Sequence, residues 1–233
     1  MKRTVIALVG VDGVGKTTHT SMLFNKLNKY GFNSSVIHDE IPTLIAQIMQ
    51  RSPKPFKSKN YVLGNSSKNA YHTLRGLLHI FLYTFNELVL LLTIIKYFKK
   101  SNIVILDRWF IDSLASVAYA RIQHLQIIRG IIFTLSRITG IITKLLRVQV
   151  LIILLKTDPL IAHIRRPEHP LPRQRFVSVL INYFAAIAAK RNRWYLIVLD
   201  TTNKDIKEVH FMILKAFHGG LVRKFCFNDV LRS

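Results

Sequence analysis

The chain has 233 residues, half of them hydrophobic, with a mean hydropathy of +0.25; this excludes a disordered chain and allows one continuous core. Lys and Arg number 34 against 12 Asp and Glu, and the formal net charge of +22 points to polyanionic company: nucleotide, nucleic acid or an anionic membrane surface. The single cysteine, Cys226, excludes an internal disulfide framework and a cysteine-rich zinc site, and makes a reducing, cytoplasmic compartment the natural expectation.

In chain order, Thr4 to Val9 is a short apolar run rich in β-branched residues and reads as a buried strand. The apolar start is too short for a secretory leader and is followed by a glycine-rich loop. Lys16 to Tyr30 reads as a helix closed by Gly31, and Ser34 to His38 as a second strand. Ile41 to Gln50 reads as a short helix, and Arg51 to Lys59 as a basic, proline-interrupted loop. A long helical stretch runs from about Asn69 to Lys99. Its segment Leu77 to Phe98 has the length of a membrane span, but Asn86, Glu87 and Lys96 favour a buried core helix.

Asn102 to Leu106 is a third strand ending at Asp107-Arg108-Trp109, and Ile111 to Leu146 is mostly helical, with breaks expected at Gly130 and Gly140. Val148 to Leu155 is a fourth strand. Asp158-Pro159 starts a helix, with Asp as N-cap and Pro at the first helical position. Pro167 to Arg175 is expected to be irregular, with helix resuming to about Ala189. Tyr195 to Leu199 is a fifth strand. Asp205 and Glu208 form a capping box for a last helix ending at Gly219-Gly220. Apolar strands alternating with helices predict a three-layer α/β fold with a parallel sheet covered on both faces, whose ligands bind beyond the carboxyl ends of the strands. The Gly10 loop, Asp39-Glu40 and Asp107-Arg108 converge on that end.

The strongest motif is Gly10-Val11-Asp12-Gly13-Val14-Gly15-Lys16-Thr17, followed by Thr18. It fits the Gly-x4-Gly-Lys-Ser/Thr phosphate loop, between a predicted strand and a predicted helix. The glycines let main-chain N–H groups point at phosphate oxygens, Lys16 is placed to reach the β- and γ-phosphates, and the Thr17 hydroxyl to bind Mg²⁺. Asp107 suits direct or outer-shell Mg²⁺ binding, and Arg108 a bidentate phosphate contact.

The loop, the later Asp-Arg-Trp and a basic segment between strands four and five together resemble the thymidylate kinase family of nucleotide kinases. The resemblance implies a P-loop kinase fold with sheet order 2-3-1-4-5, and ATP- and Mg²⁺-dependent transfer of a γ-phosphoryl group to a nucleoside monophosphate. It also implies that Asp12 approaches the acceptor sugar, that Asp107 acts near the metal, that Arg108 holds phosphate, and that a homodimer forms. The sequence departs from the family after strand two, where His38 to Pro42 replaces an Arg-x-Pro type turn and leaves Arg51 as the nearest basic candidate. It departs again at Asp112, where the family usually has Ser. Deoxynucleoside kinases look similar overall and use a glutamate after strand two as base for a hydroxyl acceptor, which makes Glu40 the base of an alternative reading.

The basic, proline-rich stretch His163 to Arg175 reads as a lid closing over ATP at about residues 165–176, with Arg165 and Arg173 as its phosphate contacts. Arg121, Arg129, Arg137, Lys144 and Arg147 fall within roughly 160° of a helix, a basic face expected to be solvated, with an anionic membrane as the other reading. His19 and His163 are expected to be solvated or hydrogen-bonded rather than metal ligands. Residues 1–218 are expected to form the kinase domain and 219–233 a basic tail. A basic ATP-binding module acting on nucleic acid or membrane is the remaining alternative.

Overall fold

The computed structural model describes residues 3–38, 81–82, 84–120 and 125–222. Its centre is a five-stranded parallel sheet. The strands are β1 (Thr4–Val9), β2 (Ser34–His38), β3 (Ile103–Asp107), β4 (Gln149–Lys156) and β5 (Tyr195–Asp200). Their order is β2-β3-β1-β4-β5, the 2-3-1-4-5 order of the P-loop kinase fold. Every residue of β1 and β3 is buried, as their unbroken apolar runs require for central strands covered on both faces.

Among the described residues, the helices are α1 (Lys16–Lys29), α2 (residues 84–97), α3 (Phe110–Ala120), α4 (Leu125–Leu145), α5 (Pro159–Arg165), α6 (Leu171–Asn192) and α7 (Ile206–Val222). α1 ends in a Schellman turn: Phe32 N–H donates to Leu27 O at 3.0 Å and Gly31 N–H to Asn28 O at 3.0 Å, with Gly31 at φ +80°. α5 starts as its sequence dictates, Leu160 N–H donating to Asp158 Oδ1 at 2.7 Å. The capping box of α7 closes in both directions, Glu208 N–H to Asp205 Oδ1 at 2.7 Å and Asp205 N–H to Glu208 Oε2 at 3.0 Å.

The structure corrects several expectations. Gly130 and Gly140 interrupt nothing, because α4 runs through both. A Cβ at Gly140 would collide with Asn192 Oδ1 of α6, so this glycine serves close helix approach. Residues 171–175 are helical rather than irregular: Pro172 lies in the first turn of α6, where its missing N–H has no intrahelical partner to lose. α7 continues through Gly219-Gly220 to Val222.

α2 buries Leu90, Leu91 and Ile94 in the core, with Phe98 just beyond its end, and keeps Glu87 buried, as a core helix does. Among the described residues, the helix long and apolar enough to cross a membrane is Gln126–Leu145, but its Ile128, Ile132 and Leu135 pack into the core. Arg129, Arg137, Lys144 and Arg147 are all exposed; Arg121 lies outside the described residues.

Candidate active site

The loop Gly10 to Lys16 leaves the carboxyl end of β1 and runs straight into α1. Gly10 lies so close to β4 that a Cβ would stand 2.5 Å from Leu155 O. Gly13 has φ +91° and passes under α5, where a Cβ would stand 2.8 Å from Ala162 O. Gly15 is the N-cap and brings no side-chain acceptor, and the first turn of α1 holds no acidic residue. The first N–H groups of α1 therefore face outward with the helix's positive end, a ready anion site. Lys16 is 5% exposed, and its ammonium donates to Gly10 O at 2.5 Å and Val11 O at 2.9 Å. Burial lowers its pKa against the opposing pull of Asp112 and Asp12. Thr17 and Thr18 are exposed beside it.

Asp12 is the node of the site. Its Oδ1 takes Arg108 Nη2 at 2.7 Å, and its Oδ2 takes Arg173 Nη2 at 3.2 Å and His169 Nε2 at 3.2 Å. Gln174 Nε2 donates to Asp12 O at 3.2 Å. Lys16 Nζ stands 4.0 Å away. Burial pushes the Asp12 pKa up, but Lys16, Arg108, Arg173 and His169 together outweigh it and hold the carboxyl below its ordinary range. The segment expected to be a lid thus lies against the phosphate loop through the turn 166–170 and the first turn of α6.

Beyond β3 the chain turns at Arg108 (φ +79°), whose N–H donates to Leu8 O at 3.2 Å. Asp107 is buried; its Oδ2 pairs with His38 Nδ1 at 3.1 Å, across the β2–β3 register that sets these two residues side by side. Its Oδ1 has no hydrogen-bond partner among the described residues. That orphaned carboxylate oxygen and the exposed Thr17 hydroxyl are hard oxygen donors of the kind Mg²⁺ takes, so the residues present fit the ion. Asp112, fully buried on α3, accepts from Gly10 N–H at 2.8 Å and Trp109 N–H at 3.2 Å. Burial raises its pKa to about 6, although Lys16 and both N–H groups oppose the shift.

A cleft of about 290 Å³ opens on the outer side of the loop, lined by Gly13, Gly15, Thr18, Arg165, Thr201 and Lys204. His19 also lines it, buried rather than solvated. Its ring is parallel to that of His210 at 6.3 Å, and its Nδ1 has no partner among the described residues. Burial, with His210 second, lowers its pKa to about 4. The other histidine behaves as expected: His163 Nδ1 lies 2.8 Å from His169 O.

The structure brings Gly10, Asp12, Gly13, Val14, Gly15, Lys16, Thr17, Thr18, Asp107, Arg108, Arg165 and Arg173 to one end of the sheet. Arg173 joins Asp12, and Arg165 lines the cleft. Glu40, Arg51 and Asp39 lie outside the described residues. His38, Asp112, His169 and Gln174 were missed as site residues. For Asp112 a signal existed: a lone acid in the apolar run after Asp-Arg-Trp. His169 and Gln174 carry no local signal, since the phosphate loop lies more than 150 residues earlier in the chain.

Fold and loop together define a P-loop kinase fold with its phosphate loop at the carboxyl edge of the sheet. No protein-family model matches the chain, and no curated protein matches it. Among solved structures, the thymidylate kinase of Ehrlichia chaffeensis is similar over 93% of this chain and 100% of its own length, with 19% identity and a TM-score of 0.51. That likeness is one of fold.

Proposed function

We propose that the chain is a kinase that passes the γ-phosphoryl group of ATP to a nucleoside monophosphate, in the manner of a thymidylate kinase. The observation that carries this reading is the convergence of Arg108, Arg173 and His169 on Asp12 beside the phosphate loop. Two guanidiniums gathered on one carboxylate beside the phosphate loop are donors that a phosphate can take bidentately. On this reading those donors hold the acceptor phosphate.

The donor's triphosphate fits the amides from Gly13 to Thr18, with its nucleoside toward the cleft between Arg165 and Lys204. A phosphate oxygen of the acceptor forms the new P–O bond as the bond from the γ-phosphorus to the ADP oxygen breaks. The acceptor is already an anion and needs no base, so the protein's work is positioning and charge stabilisation. Lys16, Arg108 and Arg173 supply that charge, and the lid contact excludes water. Thr17 and Asp107 would hold Mg²⁺, which when bound neutralises charge on the phosphate oxygens.

The test is an acceptor panel with ATP·Mg²⁺: nucleoside monophosphates, nucleosides and simple sugars. ADP is expected to form with monophosphates. Lys16→Ala is expected to lower turnover about 10²–10³-fold while circular dichroism stays unchanged. ADP formed with nucleosides instead would contradict the reading and turn attention to a carboxylate base such as Glu40.

A further inference from the structure

We propose that Asp112 is a positioning residue that ties the entry of the phosphate loop to the arginine-bearing turn, so that Lys16 and Arg108 hold fixed places about the transferring phosphate. The inference rests on the kinase reading and deepens it. Both oxygens of Asp112 are used, and each holds one of the two segments: Oδ1 takes Gly10 N–H, the first residue of the loop, and Oδ2 takes Trp109 N–H, next to Arg108. These segments are about 100 residues apart in sequence, and each carries a cation close to Asp12. The bridge spans two constrained backbones, Gly10 against Leu155 O and Arg108 at φ +79°.

The carboxylate is 3% exposed, so water does not replace it. A serine, the residue of the resembling family, is shorter, neutral and has one oxygen where this bridge uses two. The charged groups facing Asp112 are Lys16 from α1 and Arg108 from the turn after β3, both favouring its ionised form. Asp112 in turn is the largest electrostatic support for the buried charge of Lys16. Burial places the Asp112 titration near pH 6, so the bridge weakens as the pH falls from 8 to 5.

The test compares wild type with Asp112→Asn and Asp112→Ser in the full chain, reading ADP affinity by calorimetry and kcat for transfer at pH 5 to 8. The ratio of wild type to variant cancels the titration of the nucleotide itself. At pH 8 wild type is expected to lead in affinity and kcat by about ten- to a hundredfold, the loss that accompanies a charge-assisted hydrogen bond. At pH 5 the protonated aspartate resembles the amide, and the ratio is expected to shrink toward one. Should the Asn variant fail to fold, the Ser variant reads the loss at pH 8, and its ratio to wild type is expected to fall by pH 5 without reaching one. A ratio of one at pH 8, or a ratio unchanged down to pH 5, overturns the proposal; a purely structural Asp112 moves melting temperature without moving this ratio. Wild type that binds ADP yet transfers to no acceptor removes the kinase reading alone, because the ADP ratio still decides the role of Asp112.

Discussion

Asp12 shows how one side chain organises this site. Its carboxylate is shared by Arg108, Arg173 and His169, so the loop, the β3 turn and the segment 169–173 meet at a single group. Its folded pKa lies below the ordinary carboxylate value. Its contribution to stability is therefore present above that unfolded value and is lost as the pH falls through the folded one. Asp12→Asn is expected to lower the melting temperature by several degrees at pH 7, with the gap narrowing as the pH falls into the acid range through the folded value. Thermal melts of both proteins across that range check this, and a gap that persists at the acid end contradicts it. At this scale the sequence spoke where chemistry is local. The glycines and Lys16 form a contiguous motif whose spacing has a mechanical meaning. Asp112 and His169 act only because the fold carries distant segments to the loop, and no spacing records that. The burial of His19 against His210 is a tertiary fact of the same kind.

Elements were legible wherever periodicity and caps agreed. The strands are apolar runs bounded by polar residues, and the Asp158-Pro159 and Asp205-Glu208 starts are N-terminal signals that the structure obeys. Proline and glycine misled where context changed their meaning. Pro172 falls in the first turn of α6, where it is harmless. Gly140 falls where α4 meets Asn192 of α6, whose Nδ2 bonds Ser136 Oγ at 2.7 Å and Ala188 O at 3.0 Å. Gly140→Ala improves helix propensity by about 1 kcal/mol but must displace that side chain and both its bonds. In wild type the substitution is expected to destabilise by about 1 kcal/mol net. In an Asn192→Ala background it is expected to stabilise by about 1 kcal/mol. Denaturant melts of the double-mutant cycle check the reversal, and the same sign in both backgrounds refutes the packing argument.

For the whole molecule, alternating strands and helices dictate the parallel sheet, and the order β2-β3-β1-β4-β5 matches what the family resemblance implied. Register explains why the chemistry gathers at one end: Leu8 pairs with Asp107, and His38 with Asp107, so the loop and two strand ends finish level. Of the charges behind the net +22, Lys16, Arg108, Arg165 and Arg173 gather at the loop, while Arg129, Arg137 and Lys144 lie exposed on α4. The acceptor was not legible, because Glu40 and Arg51, the residues that would discriminate a hydroxyl from a phosphate, lie in a segment whose sequence departs from the family's turn. The account rests on main-chain amides of the first loop holding a nucleotide's phosphates. The direct measurement is an amide chemical-shift titration of the full chain with a non-hydrolysable ATP analogue. Large, saturable shifts at Gly13, Gly15, Lys16 and Thr17 are the predicted result, and saturable binding that leaves those amides unmoved would contradict it.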